Sequence, residues 1–149
     1  MVASADPSPV LLLTGSKERV VFCLTGPQFS ATFLRCWSRL LSACQQRDLT
    51  VMLRQGYSSC GPWVARAECL GVVPNTVTSP ATTAEKPFGG MAYDVIMWID
   101  SDQTFEPHDF FRLLESPHDV TTGWYLDTNG AVIKKRAAPF CNCVAALTG

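Results

Sequence analysis

The stretch from Tyr93 to Leu114, YDVIMWIDSDQTFEPHDFFRLL, constrains the fold of this chain more than any other. Asp94 to Ile99 is almost wholly apolar or β-favouring and shows no in–out alternation, the pattern of a strand covered on both faces. Asp100-Ser101-Asp102 follows without a break. Glu106-Pro107 then opens a helix, because proline at the first helical position gives up only an N–H that would lack a helical partner anyway. Phe110, Phe111 and Leu114 give that helix one apolar face. Two carboxylates, one residue apart, thus stand at the carboxyl end of a buried strand, where open α/β sheets bind their ligands.

At neutral pH both side chains are acceptors only, and two such groups on one turn repel unless a cation lies near them. A hard ion such as Mg²⁺ or Mn²⁺ takes one or two carboxylates and fills its other positions with water and phosphate oxygens. Asp100 and Asp102 therefore read as a site for Mn²⁺ or Mg²⁺ carrying a phosphorylated ligand. Aspartate is also a common turn residue that bonds its own backbone, and Asp-x-Asp by itself has little specificity. Its place between a buried strand and a helix start is what favours a site.

The same strand–helix unit occurs twice upstream. Residues 1–16, rich in Ser, Ala and Pro, read as a loosely held lead-in. Arg19 to Leu24 is a short, continuously apolar strand broken by Thr25-Gly26-Pro27. Ser30 caps a helix running to Arg47, with Phe33, Trp37, Leu40, Leu41 and Cys44 at helical spacing. Leu49 to Leu53 is the second strand, and Gln55 to Ser59 its exit loop. Gly61-Pro62 starts a helix from Trp63 to Leu70 that Gly71 closes. Residues 72–90 read as a long surface excursion. After the helix that follows the aspartate pair, Asp119 to Leu126 is a strand, and Asn129-Gly130 signals a hairpin that returns Ala131 to Lys135 antiparallel.

This alternation predicts a single α/β domain: a mostly parallel sheet, helices on both faces, right-handed crossovers and a C-terminal antiparallel hairpin. Its consequence for function is geometric. Thr25-Gly26, the loop containing Tyr57, and Asp100-Ser101-Asp102 all leave strands at their carboxyl ends and face one crevice. Arg66, one turn into the helix after the second loop, either turns its guanidinium toward that crevice or pairs with Glu68 on the helix surface. A planar fork that binds two oxygens suits a diphosphate.

The 149 residues are 47% hydrophobic and 17% charged, with net charge −1, so there is no basic footprint for nucleic acid. Seven cysteines, at 23, 36, 44, 60, 69, 141 and 143, mostly fall in apolar patterns and read as small hydrophobes of a reducing compartment. No apolar run reaches spanning length and the N-terminus lacks a signal-peptide pattern, so a soluble, cytoplasmic protein is expected. Neither G-x-G-x-x-G, GxxxxGK[ST] nor G-x-S-x-G occurs, which disfavours a dinucleotide cofactor, P-loop chemistry and a serine hydrolase.

The hydrophobic strand ending in Ile99-Asp100-Ser101-Asp102, after a βαβα segment, resembles the nucleotide-sugar-dependent glycosyltransferases of the GT-A fold, a Rossmann-like architecture. Together with Lys86-Pro87-Phe88-Gly89-Gly90 and WVARAECLG (Trp63 to Gly71), it is similar to glycosyltransferases encoded by large DNA viruses and phages. The similarity spans roughly residues 19–126, and the Asp-x-Asp element is its most specific part. The resemblance implies a nucleoside-diphosphate sugar donor, a glycan or protein acceptor, Mn²⁺ or Mg²⁺ as cofactor, and the host cytoplasm as the setting. It implies that Asp102 ligates the ion, while Asp100, beside Ser101, touches the ribose hydroxyls or a water of the ion's shell. Thr25 and Gly26 would lie against the nucleoside, with Tyr57 on the same donor side, and Arg66 would approach the diphosphate. The chain beyond Asp102 is shorter than in that family, so the acceptor half is expected to be short or missing. Asp127 at a strand end is the candidate base, with a plain hairpin-turn residue as its alternative.

Two other readings compete. Asp100-Ser101-Asp102-Gln103-Thr104 matches the D-x-D-x-T signature of haloacid-dehalogenase-type phosphatases, in which Asp100 would be the nucleophile, with Thr121 or Thr122 and Lys134 in supporting roles. That signature normally lies on a first strand, however, whereas two βα units precede it here. The other reading is a non-catalytic nucleotide-sugar binding module.

Overall fold

The computed structural model describes residues 8–57, 61–71, 86–123 and 143–145. Strands β1 (Val10–Leu13), β2 (Arg19–Thr25), β3 (Thr50–Gly56), β4 (Val95–Asp100), β5 (Val120–Thr122) and β6 (Cys143–Ala145) form one sheet. Their order is β1-β3-β2-β4-β6-β5. Helices α1 (Ala31–Gln46) and α2 (Pro62–Leu70) follow β2 and β3, and α3 (Pro107–Leu114) follows β4. The chain is thus an α/β protein with a mixed sheet. β2 pairs in parallel with β3 and β4. β1 runs antiparallel to β3, and β6 runs antiparallel to both β4 and β5.

β2 is flanked by partners from Val20 to Thr25, and Val20, Val21, Phe22 and Cys23 have no exposure at all. Its unbroken apolar run reflects cover on both faces. On one face Val20, Phe22, Leu24, Val51 and Ile99 meet Phe33, Leu40 and Cys44 of α1 and Phe110 and Phe111 of α3. On the other, Val21, Cys23, Met52 and Ile96 meet Cys69 of α2 and Phe88. Burial pushes the Cys44 thiol up to about 12, and burial likewise raises Cys23, so both stay neutral in the core.

Local signals set the helix ends. Ser30 Oγ accepts from the Phe33 N–H at 3.0 Å. Gly71, at φ 78°, closes α2 in the left-handed conformation that a side chain would strain. The Glu106 N–H donates to the Asp109 carboxylate at 2.9 Å at the start of α3. Arg39–Glu106 (2.9 Å) and Arg47–Glu115 (2.6 Å) tie α1 to α3, and the Arg47 guanidinium lies 3.9 Å from the Phe111 ring centre. Both pairs are exposed, and each contributes less than about 1 kcal/mol.

Four differences from the sequence expectation stand out. The lead-in contains β1, whose VLLL run finds its partner only when the open edge of β3 is in place. β6 is a strand that its three residues, Cys-Val-Ala, do not announce; it is set by pairing with β4 and β5. The sheet is consequently mixed rather than mostly parallel. The strand expected over 119–126 is seen at Val120–Thr122, in the same sheet but separated from β4 by β6. The hairpin at Asn129-Gly130, with Ala131 to Lys135, lies outside the described residues, as do Trp124 to Leu126. Among the described residues no helix is long and apolar enough to cross a membrane.

Between α2 and β4, Pro87–Gly90 forms a 3₁₀ turn in which Phe88 adopts φ 58°, ψ 32°. A left-handed phenylalanine costs about 1–2 kcal/mol. Complete burial, with an edge-on contact to Tyr93 at 5.2 Å, offsets this. Phe88→Ala should therefore destabilise by about 3–5 kcal/mol, while Leu34→Ala on the exposed side of α1 should stay within about 0.5 kcal/mol. Urea unfolding monitored by circular dichroism checks both.

At the amino ends of β2 and β4, Arg19 grips Asp94: its N–H, Nε and Nη2 donate at 2.8, 3.0 and 2.7 Å, and the Asp94 N–H donates back to Arg19 O at 2.9 Å. These bonds from Arg19 hold the Asp94 carboxyl below its usual range. A depressed native pKa makes this contribution complete above the unfolded value of about 3.9 and lost as pH falls through the lower native value. Because the pair is largely exposed, solvent screening keeps the contribution small. Asp94→Asn should flatten the acid limb of the stability–pH curve below about pH 4, and denaturant midpoints measured from pH 7 down to the acid transition check this.

Candidate functional site

Three strands of the parallel core end at one level. Thr25 is in register with Gly56 on one side and Asp100 on the other. The backbone continues that alignment past the strands: the Gly26 N–H donates to Gly56 O (3.0 Å) and the Ser101 N–H to Thr25 O (2.9 Å). The three loops named from the sequence therefore leave the sheet from one edge.

Alternation along the strands puts Thr25, Gly56, Trp98 and Asp100 on the face that carries α2. Gly56 is what lets that helix come close. A Cβ there would fall 2.0 Å from the Ala65 carbonyl oxygen. Arg66 is next in the helix, and its Nη2 stands 3.6 Å from Asp100 Oδ1. Its guanidinium carbon is 5.8 Å from the centre of the Trp98 ring, within cation–π range. Arg66 thus stands beside Asp100 at the level where the strands end.

The same Asp100 Oδ1 accepts from the Thr25 hydroxyl at 2.5 Å. Thr25 is almost wholly buried, so this bond satisfies a hydroxyl that would otherwise be costly. Asp100 is thus half-enclosed between a hydroxyl and a guanidinium, while Asp102 projects into solvent, its Oδ1 3.3 Å from Gln103 Nε2. Ser101 closes the turn against Gly26: with φ 133° at Gly26, a Cβ would stand 2.1 Å from Ser101 Oγ. Tyr57 lies at the rim with 63% of its surface exposed, and its N–H donates to Glu68 Oε2 at 2.9 Å. Gln55 Nε2 donates to Gly26 O at 3.2 Å.

Asp100 and Asp102 are a donor set for a particular kind of ion. Among the described residues, no three His, Cys, Asp or Glu side chains gather as a metal-binding group. Two carboxylates nevertheless match Mg²⁺ or Mn²⁺ when phosphate oxygens and water complete the shell. The residues fit an ion that arrives with a phosphorylated ligand better than one held by protein alone.

Trp98 and Gln55 were not singled out as site residues by the sequence. Trp98 carried a signal, since it lies two positions before Asp100 on the same strand face. Gln55 carried none beyond its place in a strand-end loop. Thr121 and Thr122 sit in β5, with Thr121 aligned through Val144 to Met97, so they are not at the Asp100 level. Asp127 and Lys134 lie outside the described residues.

On the opposite face of β4, a cavity of about 410 Å³ lies between the sheet and α3, lined by Met97, Ile99, Phe105 and Leu113 with Gln103 and Arg112. No protein-family model matches this chain, and no curated protein or solved structure matches it.

The closeness of Gly26 to Ser101 has a measurable consequence. Gly26→Ala should destabilise by about 1–3 kcal/mol through contact and backbone strain together. Adding Ser101→Gly should recover the contact part and leave the backbone part. A double-mutant cycle by chemical denaturation separates the two.

Proposed function

We propose that this chain is the donor-binding domain of a metal-dependent glycosyltransferase, Rossmann-like and of the GT-A type. It would transfer a sugar from a nucleoside-diphosphate sugar to a glycan or protein acceptor. The observation that carries this reading is the convergence of Asp100, Arg66 and Thr25 at three aligned parallel strand ends, beside an exposed Asp102. Ligands bind at the carboxyl edge of such sheets, and a carboxylate pair next to an arginine fork offers both halves of a metal–diphosphate site.

In this reading Asp102, solvent-facing, holds Mn²⁺ or Mg²⁺, and Arg66 turns its fork to the diphosphate oxygens. Asp100, oriented by Thr25, takes the ribose hydroxyls or the ion's shell. Gly26 and Ser101 leave a closely sealed turn against which the nucleoside lies, with the Tyr57 ring at its rim. When bound, the ion neutralises charge on the departing diphosphate and fixes its geometry. The cavity beyond Gln103 gives an acceptor room on the far side of the same turn. A cytoplasmic setting accords with free, buried thiols at Cys23, Cys36, Cys44 and Cys69.

The phosphatase reading asks Asp100 to attack a phosphorus atom. Its Oδ1 instead accepts from Thr25 and faces Arg66, and β4 is the third parallel strand in chain order, not the first. Thermal-shift measurements with nucleoside diphosphates and their sugars, with and without Mn²⁺, test the proposal. Stabilisation of about 2.7 kcal/mol at a hundredfold excess over Kd is expected, and only with the ion. Asp102→Ala should abolish that gain and leave metal-free stability unchanged or slightly higher, since one of two repelling carboxylates is gone. Undiminished Mn²⁺-dependent binding by the variant, or an aspartyl-phosphate trapped on Asp100, would overturn the assignment.

A further inference from the structure

Resting on the metal–diphosphate reading above, we propose that Arg66 is a latch on Asp100 that makes divalent-ion binding conditional on the diphosphate. Asp100 Oδ1 faces two groups at once, the Thr25 hydroxyl at 2.5 Å and Arg66 Nη2 at 3.6 Å. The hydroxyl fixes where the oxygen points. The guanidinium supplies the counter-charge, and with only 15% of its side chain exposed, water screens it poorly. A divalent ion approaching Asp102, with Asp100 on the side of its shell, therefore meets a fixed positive charge beside the pair.

The contact that opposes the ion is also one that a diphosphate can release. At 3.6 Å the pair is electrostatic, without the distance of a hydrogen bond. A diphosphate offers Arg66 two oxygens in the geometry of its fork, a closer match than a 3.6 Å contact to a carboxylate oxygen that already accepts from Thr25. Once Arg66 turns to the phosphates, its positive charge no longer offsets the Asp100 carboxylate, and the Asp100–Asp102 pair becomes attractive to the ion. The Trp98 ring gives the guanidinium a flat surface to move across. Ion and diphosphate then promote each other's binding by the same factor, as linkage requires. The empty site meanwhile keeps its carboxylates from collecting stray divalent ions.

Mn²⁺ titrations followed by electron paramagnetic resonance, with and without uridine or guanosine diphosphate, test this directly. In the wild-type chain Mn²⁺ alone should bind weakly, and the diphosphate should tighten it about tenfold or more. Arg66→Gln should bind Mn²⁺ alone about tenfold more tightly than wild type, and the gain from the diphosphate should shrink. Arg66→Met serves the same comparison if the glutamine variant does not fold. Lys86→Gln, which removes an exposed positive charge elsewhere, should leave Mn²⁺ binding unchanged. If wild type shows diphosphate-dependent Mn²⁺ binding but the Arg66 variants bind Mn²⁺ alone no better than wild type, the latch is overturned and the donor site stands. If wild type binds no Mn²⁺ with either diphosphate, the latch and the donor site fall together.

Discussion

The pairing of β2 with β4 is the constraint on which the rest depends. It is pinned at both ends by side chains as well as along its length by the backbone ladder. At the amino end Arg19 holds Asp94, and at the carboxyl end the Thr25 hydroxyl holds Asp100. The two clasps share one register, six residues apart on each strand. A slip by one residue would exchange the side chains that β2 sends into its two differently packed cores and would also part Thr25 from Asp100. The geometry of the site is thus a by-product of the register that the core already requires.

The charges follow from the same arrangement. Asp94 answers Arg19 near the surface, where water does most of the screening and the pair contributes modestly. Asp100 answers Arg66 in a more enclosed setting, where each charge matters more to the other. An arginine faces an aspartate at each end of β4, hydrogen-bonded as a structural clasp below and held only by charge above.

Much of this was legible in the residues, and the reasons for success and failure are physical. β2, β4, α1 and α2 carry their own signals: unbroken apolar runs, Ser30 as a cap, proline and glycine bracketing α2. The alignment of Thr25, Gly56 and Asp100 followed from topology, since parallel strands joined by helices must end on the same side. β1 was hidden by its Pro- and Ser-rich surroundings, and β6 by having only three residues. Both are strands because neighbours pair with them, a fact that no local window contains. Arg66 could not be resolved from sequence for a different reason. Its contact depends on how closely α2 lies on the sheet, which the missing side chain of Gly56 allows, and on the rotational phase of the helix.

Arg54 has a consequence for how the molecule comes apart. From its place in β3, its guanidinium donates to the carbonyls of Glu68 and Cys69, at the end of α2, and to the carbonyl of Ser8, just before β1. The Glu68 carbonyl also accepts from the Gly71 N–H at 3.0 Å, and the Cys69 carbonyl is one of those for which the helix has no further N–H to offer. One cation therefore closes the last turn of α2 and anchors the entry to β1. Opening either segment strips acceptors from the same guanidinium, so the edge strand and the helix end belong to one cooperative unit of local unfolding. Amide exchange in the two should share an opening rate, although Leu13 and Cys69 stand 56 positions apart in the sequence.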